Sequence, residues 1–117
     1  MSFQCPAQFS ISRSEGLRTQ TKWTNTGTQY HAFDLVVQIG TYDASTGTFT
    51  PLLQNYVNDI PSNPGDVITT TIDFPSLTAL NPGKYTIAIY LVDWDPATGS
   101  VQAVYDVQGC IDVLVVS

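Results

Sequence analysis

Apolar and polar residues alternate along most of this chain, which is the period-two pattern of half-buried β-strands. From Leu17 to Trp23, for example, the intervening Arg18, Gln20 and Lys22 all fall on one face, which we expect to be wet. The same pattern predicts further strands over residues 33–39, 49–57, 67–74, 85–94, 101–107 and 110–116. No window has the period of an amphipathic helix, so the pattern indicates an all-β protein.

Turn signals separate these segments at short, regular intervals. The loops Asp43–Gly47 and Asp95–Gly99 share the form Asp-x-x-Thr-Gly and predict two hairpins. Pro51 favours an edge position for its strand, because proline cannot donate a ladder hydrogen bond. Strands of this number and spacing predict an immunoglobulin-like β-sandwich of seven or eight strands, which we expect to span residues 1–117 as one domain.

The segment 85–94 is apolar on both faces, which predicts a central strand or one that a partner covers. Tyr90, Val92 and Trp94 share the face opposite to the core positions, and we expect Tyr105 to lie beside them on the returning strand. These four residues are the predicted interface or ligand-binding site. The alternatives are ordinary packing across strands, or a cover formed by the chain's own residues 43–66.

Charge narrows the range of partners. Four basic residues against ten acidic ones give a formal net charge of −6. We therefore expect neither nucleic acid nor an anionic membrane surface as a partner, since both need clustered lysine and arginine. The sequence has no apolar run long enough for a membrane span, so we predict no membrane insertion. Residues 1–20 lack the pattern of a signal peptide.

Catalytic chemistry has little support in the sequence. His31 is the only histidine, and neither a phosphate-binding loop nor a nucleophile elbow is present. We therefore predict that the protein is not an enzyme and has no cofactor. Asp93, Asp95 and Asp106 are candidates for a calcium site at one end of the sandwich, but the spacing of a calcium loop is absent and we predict no metal site.

Four short motifs resemble those of a known class of domains. They are Trp23-Thr-Asn-Thr-Gly27, Phe33-Asp-Leu-Val-Val37, Pro64-Gly65-Asp66 and Pro82-Gly-Lys-Tyr85. In this order they resemble the CARDB-type and fibronectin type III-like sandwich modules. The resemblance implies the sandwich fold, and it places Tyr85 where such domains have a tyrosine-corner residue at the start of a strand.

The two cysteines lie near opposite ends of the chain. In an immunoglobulin-like sandwich the first strand can run parallel beside the last, which would bring Cys5 and Cys110 within bridging distance. We favour an intramolecular disulfide, with two buried free thiols or bonds to neighbouring subunits as the alternatives. A disulfide would indicate an oxidising environment or a hyperthermophilic cytosol.

Together these features favour a structural or adhesive surface module over an enzyme. We expect it to assemble with itself or to dock on a larger particle, as a virion decoration or capsid-associated protein, a pilus-like subunit or a cell-envelope subunit. The expected location is the extracellular surface or a virion. The alternative is a carbohydrate-binding module, in which exposed aromatic rings stack on a glycan.

Overall fold

Seven strands form the protein in a computed structural model that describes residues 5–117. They are β1 (Phe9–Ile11), β2 (Leu17–Thr24), β3 (His31–Asp43), β4 (Thr48–Ser62), β5 (Val67–Phe74), β6 (Gly83–Asp95) and β7 (Ser100–Val116). One sheet has the order β1-β7-β6-β3-β4, and the other pairs β2 with β5. The two sheets form a β-sandwich, which confirms the predicted fold class.

The core lies between the facing surfaces of these sheets. Leu35, Val37 and Ile39 of β3 are fully buried, as the alternation predicts. Trp23 of β2 packs edge-on against Phe33, with ring centroids 5.3 Å apart. Its indole N–H donates a hydrogen bond to the Thr70 hydroxyl, so this large ring is buried without leaving its polar atom unpaired.

The first and last strands lie side by side at one edge of the larger sheet. β1 pairs in parallel with β7, and Phe9 lies opposite Leu114. The same offset of 105 residues relates Cys5 to Cys110, whose Cα atoms are 5.5 Å apart and whose sulfur atoms are bonded. The intramolecular disulfide is therefore present in the structure, and its bond fits an oxidising environment.

Tyr85, near the start of β6, bonds back to the loop that precedes the strand. The Tyr85 hydroxyl donates a hydrogen bond of 2.5 Å to the carbonyl oxygen of Asn81, four residues earlier. The loop that precedes β6 also buries Leu77 and Leu80, which close the core at this end. The period-two pattern could not identify these two leucines as core residues, because they lie outside any strand.

Several strands are longer than the alternation predicts, and β4 and β7 also run through residues placed outside strands. β4 is an edge strand, as Pro51 indicates, but it continues to Ser62 through residues expected to form a loop. β7 is continuous over residues predicted as two separate strands. A bulge opposite Asp34 explains the difference in β4, because it moves the alternation out of phase without ending the strand. In β7, Gln108 and Gly109 pair in regular register with Ile89 and Ala88, so the turn signal there does not interrupt the strand.

β4 has a second bulge, at Leu52, which lies beside Gly40 of β3. A Cβ atom at this position would overlap the carbonyl oxygen of Thr50. The close approach accompanies the register shift between Ile39 and Gly40. Glycine is needed here for space rather than for backbone conformation.

Candidate interaction face

The side of the larger sheet that faces away from the core carries an apolar surface. One row of directly paired residues crosses four strands, from β4 to β7: Tyr56, Val36, Tyr90 and Val107. The next rows on one side contain Val92 with Val104, and Trp94 with Val101. We call these eight residues the outer face. Val92 is only 2% exposed, so it lies beneath its neighbours and its predicted availability to a partner was wrong.

Bulges in β7 bring three valines onto the outer face. Val101, Val104 and Val107 are spaced by three residues, so strict alternation would place Val104 on the side opposite to the other two. The register against β6 shifts between Leu91 and Val92 and again between Asp93 and Trp94. Each shift adds one residue to β7, and all three valines therefore point the same way.

Two aromatic rings meet at one end of this surface. Tyr56 and Trp94 are in edge-to-face contact, with centroids 4.7 Å apart and ring planes at 75°. Tyr90 and Trp94 line a groove of about 410 Å³ together with Gln38 and Gln54. The two glutamine side chains bond to each other, the Gln38 amide donating to Gln54 over 2.8 Å. Burial raises the pKa of the Tyr90 hydroxyl.

Asp34 is a buried carboxylate that fixes the backbone on both sides of β3. One of its oxygens accepts a hydrogen bond of 2.8 Å from the Asp59 N–H in the bulge of β4, where Asp59 has a positive φ. The other oxygen accepts a bond of 2.7 Å from the Trp94 N–H in β6. Asp34 lies opposite Val92, on the side of the sheet away from Leu35 and Val37, and is buried there, with 4% of its surface exposed. It holds the segments that carry Tyr56 and Trp94.

We expect Asp34→Asn to lower the free energy of unfolding by about 1–3 kcal/mol, because the amide leaves one of the two N–H donors without an acceptor. Hydrogen exchange at the Asp59 and Trp94 amides should accelerate more than in the rest of the sheet. Asp73→Asn is the matched control, since Asp73 is exposed. Equal effects of both variants on stability and exchange would contradict this role.

Tyr105 does not lie with Tyr90, Val92 and Trp94, so its predicted place beside them was wrong. The first shift in register makes Tyr105 the extra residue of β7 and turns it to the other side of the sheet. Its hydroxyl donates a short hydrogen bond to Asp93, which raises the pKa of Tyr105. Its ring packs edge-on against Phe33, with centroids 4.9 Å apart. Val104 takes the position expected for Tyr105.

His31 completes a polar cluster around Asp93. Its Nε2 atom lies 2.6 Å from one carboxylate oxygen of Asp93, and the Tyr105 hydroxyl bonds to the other. The cluster ties the start of β3 to β6 and β7, so His31 is not the free loop residue that its position after a turn indicates. These contacts occupy both oxygens of Asp93.

A cleft of about 490 Å³ opens beside this cluster. Its walls are the loop of residues 24–30 and Tyr105, and Phe33 and Leu91 contribute apolar side chains. Asn25 holds the loop: its side chain donates to the Gln29 carbonyl oxygen and accepts from the Gly27 N–H. Among residues 5–117, Ser62 is the one serine, threonine or cysteine whose side chain bonds to His31. Its hydroxyl donates to the backbone carbonyl oxygen and not to the imidazole. The side-chain partners of the imidazole are Asp93 and the Tyr105 hydroxyl, which lies 3.4 Å from Nε2.

Two of the three acidic residues considered for calcium serve other roles. Asp93 belongs to the polar cluster, and Asp95 accepts a hydrogen bond from the Ala97 N–H in the hairpin turn. Within residues 5–117 there is no group of three or more candidate metal ligands. The same part of the chain contains no helix that is long and apolar enough to cross a membrane.

The segment 43–66 does not cover the outer face. It is the end of the β3–β4 hairpin and β4 itself, which lies in the same sheet and contributes Tyr56 to the surface. The sequence places Tyr56 in a predicted strand but does not show which face it lies on, because the bulges on either side of it break the alternation of β4. An internal cover by this segment is therefore wrong.

Comparisons with protein-family models, with curated proteins and with solved structures found no match. The resemblance to CARDB-type and fibronectin type III-like modules therefore stays a prediction. The class of protein rests on the observed β-sandwich.

Proposed function

We propose that this protein is a non-enzymatic structural or adhesive module that docks on protein through its outer face. The observation that carries the proposal is an apolar surface extending over four strands of one sheet. Tyr56, Val101, Val104 and Val107 are each 43–56% exposed, although all four are large apolar or aromatic residues. Contiguous exposed apolar surfaces of this kind are typical of protein interaction sites.

The composition of the outer face also supports docking on protein. Tyrosine and tryptophan are enriched at the centres of protein interfaces, where they contribute much of the binding energy. The rows that form the face, including the glutamines beside it, contain one charged residue, Asp34, and it is buried. Binding here would therefore depend on apolar contact, with little contribution from charge.

A surface location agrees with the rest of the molecule. The Cys5–Cys110 disulfide fits an oxidising environment and joins the two terminal segments. Such a bond resists separation of the terminal strands, which suits a subunit of a particle, pilus or cell envelope. We propose the extracellular surface or a virion as the place where the module acts.

Carbohydrate binding is the second candidate, and the groove beside Trp94 supports it. Gln38 and Gln54 provide amide groups next to two aromatic side chains, as recognition of sugar hydroxyls requires. The ring planes of Tyr56 and Trp94 are, however, at 75° to each other. They do not form a flat platform for successive sugar units, so docking on protein has the stronger support.

Replacing Trp94 by alanine separates these functions. We expect the melting temperature to change little, because Trp94 is half-exposed and lies outside the core. Light scattering over a range of concentrations should show reduced association. Loss of binding to neutral oligosaccharides, with no change in mass, would favour the carbohydrate function instead. A large fall in melting temperature with neither effect would make Trp94 a core residue and contradict both.

A further inference from the structure

We propose that the free edge of β2 binds an extended acidic segment of a partner protein, which adds to the smaller sheet as a third strand. This edge is separate from the outer face, so the inference goes beyond the docking function proposed above. In strand addition, main-chain hydrogen bonds supply the affinity and side chains at alternate positions supply the specificity.

The hydrogen-bond pattern of β2 shows which of its backbone groups are unpaired. Just beyond the strand, the Asn25 N–H donates to the carbonyl oxygen of Asp66 in the register of the β2–β5 ladder. Bonded and non-bonded pairs alternate in an antiparallel ladder, so the odd-numbered residues of β2 bond to β5. The N–H and C=O groups of Arg18, Gln20 and Lys22 therefore point away from β5, and they have no hydrogen-bond partner within residues 5–117.

The other three sheet edges are better protected than that of β2. β1 has only three residues, and β4 contains two prolines and two bulges. On β5, the carbonyl oxygen of Asp73 accepts a hydrogen bond of 2.7 Å from the Asn55 side chain of β4. β2 has eight residues without a proline, and its register is regular throughout. An exposed regular edge of this kind is a template for a further strand.

The smaller sheet covers the larger one incompletely on the β2 side. The larger sheet has five strands and the smaller has two. Asn55 holds β5 against β4, so β2 lies toward the opposite edge, which β7 and β1 form. There Phe9 and Ile11 pair with the buried Leu114 and Val116, yet both are only partly buried. An added strand would extend the smaller sheet toward them, so we expect apolar residues at its inward positions.

Charge at this edge favours an acidic partner. The outward side chains of β2 are those of Arg18, Gln20, Lys22 and Thr24. Two of the chain's four basic residues thus lie on this strand, and none of its acidic residues does. Arg18 is paired with Asp73 of β5, whereas Lys22 forms no ion pair within residues 5–117. Carboxylates at the outward positions of an added strand would lie beside these cations, and opposite charges on neighbouring strands stabilise their pairing.

Hydrogen exchange in the presence of a synthetic peptide tests the proposal. The probe is a capped peptide of seven residues in which glutamate and valine alternate, and its control has lysine in place of glutamate. At saturation the acidic peptide should slow exchange of the Arg18, Gln20 and Lys22 amides by about ten-fold, because these N–H groups would bond to the added strand. The lysine peptide should leave their exchange unchanged.

Gln20→Pro and Thr71→Pro are a matched pair of variants. These residues lie opposite each other, and the N–H of each points away from the ladder, so neither proline removes a bond between β2 and β5. Gln20→Pro should abolish protection of the Arg18 and Lys22 amides, whereas Thr71→Pro should not affect it. Lys22→Glu provides a test that leaves the backbone intact, and it should weaken binding of the acidic peptide by about ten-fold.

Three results would overturn the proposal. One is unchanged exchange of the three amides at millimolar acidic peptide, and another is equal protection by the lysine peptide. The third is protection that rises with protein concentration in the absence of peptide, which would assign this edge to a second copy of the chain. Trp94→Ala should leave peptide binding unchanged, so failure here is distinguishable from failure of the outer face as a docking site.

Discussion

Reduction of the Cys5–Cys110 disulfide should lower the free energy of unfolding by about 4–5 kcal/mol, because the bond closes nearly the whole chain into a loop. In the unfolded state, closing so long a loop removes more conformational freedom from the chain than closing a short loop would. The native sandwich should persist at moderate temperature, since β1 and β7 remain paired without the bond. Chemical denaturation with and without reductant measures the effect.

Thiol titration provides the check on the bond itself. Denatured, unreduced protein should contain no reactive thiol, and two titratable thiols would contradict the pairing. A double variant with Cys5→Ser and Cys110→Ala should have the stability of the reduced protein and should not respond to reductant. Alanine suits position 110 because Cys110 is buried in the core.

Ile89→Ala should destabilise the protein by about 2–5 kcal/mol. Ile89 is completely buried on β6, opposite Val37 of β3, in the middle of the larger sheet. Truncation removes apolar contacts and leaves a cavity that the paired strands on both sides cannot close. Ile87→Ala should have an effect of the same size, since Ile87 occupies the same face two residues earlier.

Variants on the wet face of β2 are the controls for this prediction. Gln20→Ala and Arg18→Ala should be nearly neutral, because both side chains are exposed and the Arg18–Asp73 ion pair lies in water. Urea denaturation at constant pH measures all four variants. A loss for Arg18→Ala equal to that for Ile89→Ala would show that the register of β2 is wrong.

The sequence by itself determined the fold class and most of the core. Alternation predicted the inward positions of β2, β3 and β6 because the period of a strand and its burial on one side leave little choice of register. The cysteine pair followed from the parallel first and last strands of the sandwich. Tyr90, Val92 and Trp94 were placed together correctly because they lie within one uninterrupted run of β6.

Tertiary structure decided which residues from other strands join Tyr90, Val92 and Trp94 on the outer face. Bulges in β7 brought Val101, Val104 and Val107 to the outer face and turned Tyr105 away to Asp93. A bulge changes the phase of a strand by one residue, and it is fixed by contacts with neighbouring strands that are distant in sequence. Asp34 illustrates this, because its carboxylate joins residues 25 and 60 positions after it only when the sheet has formed.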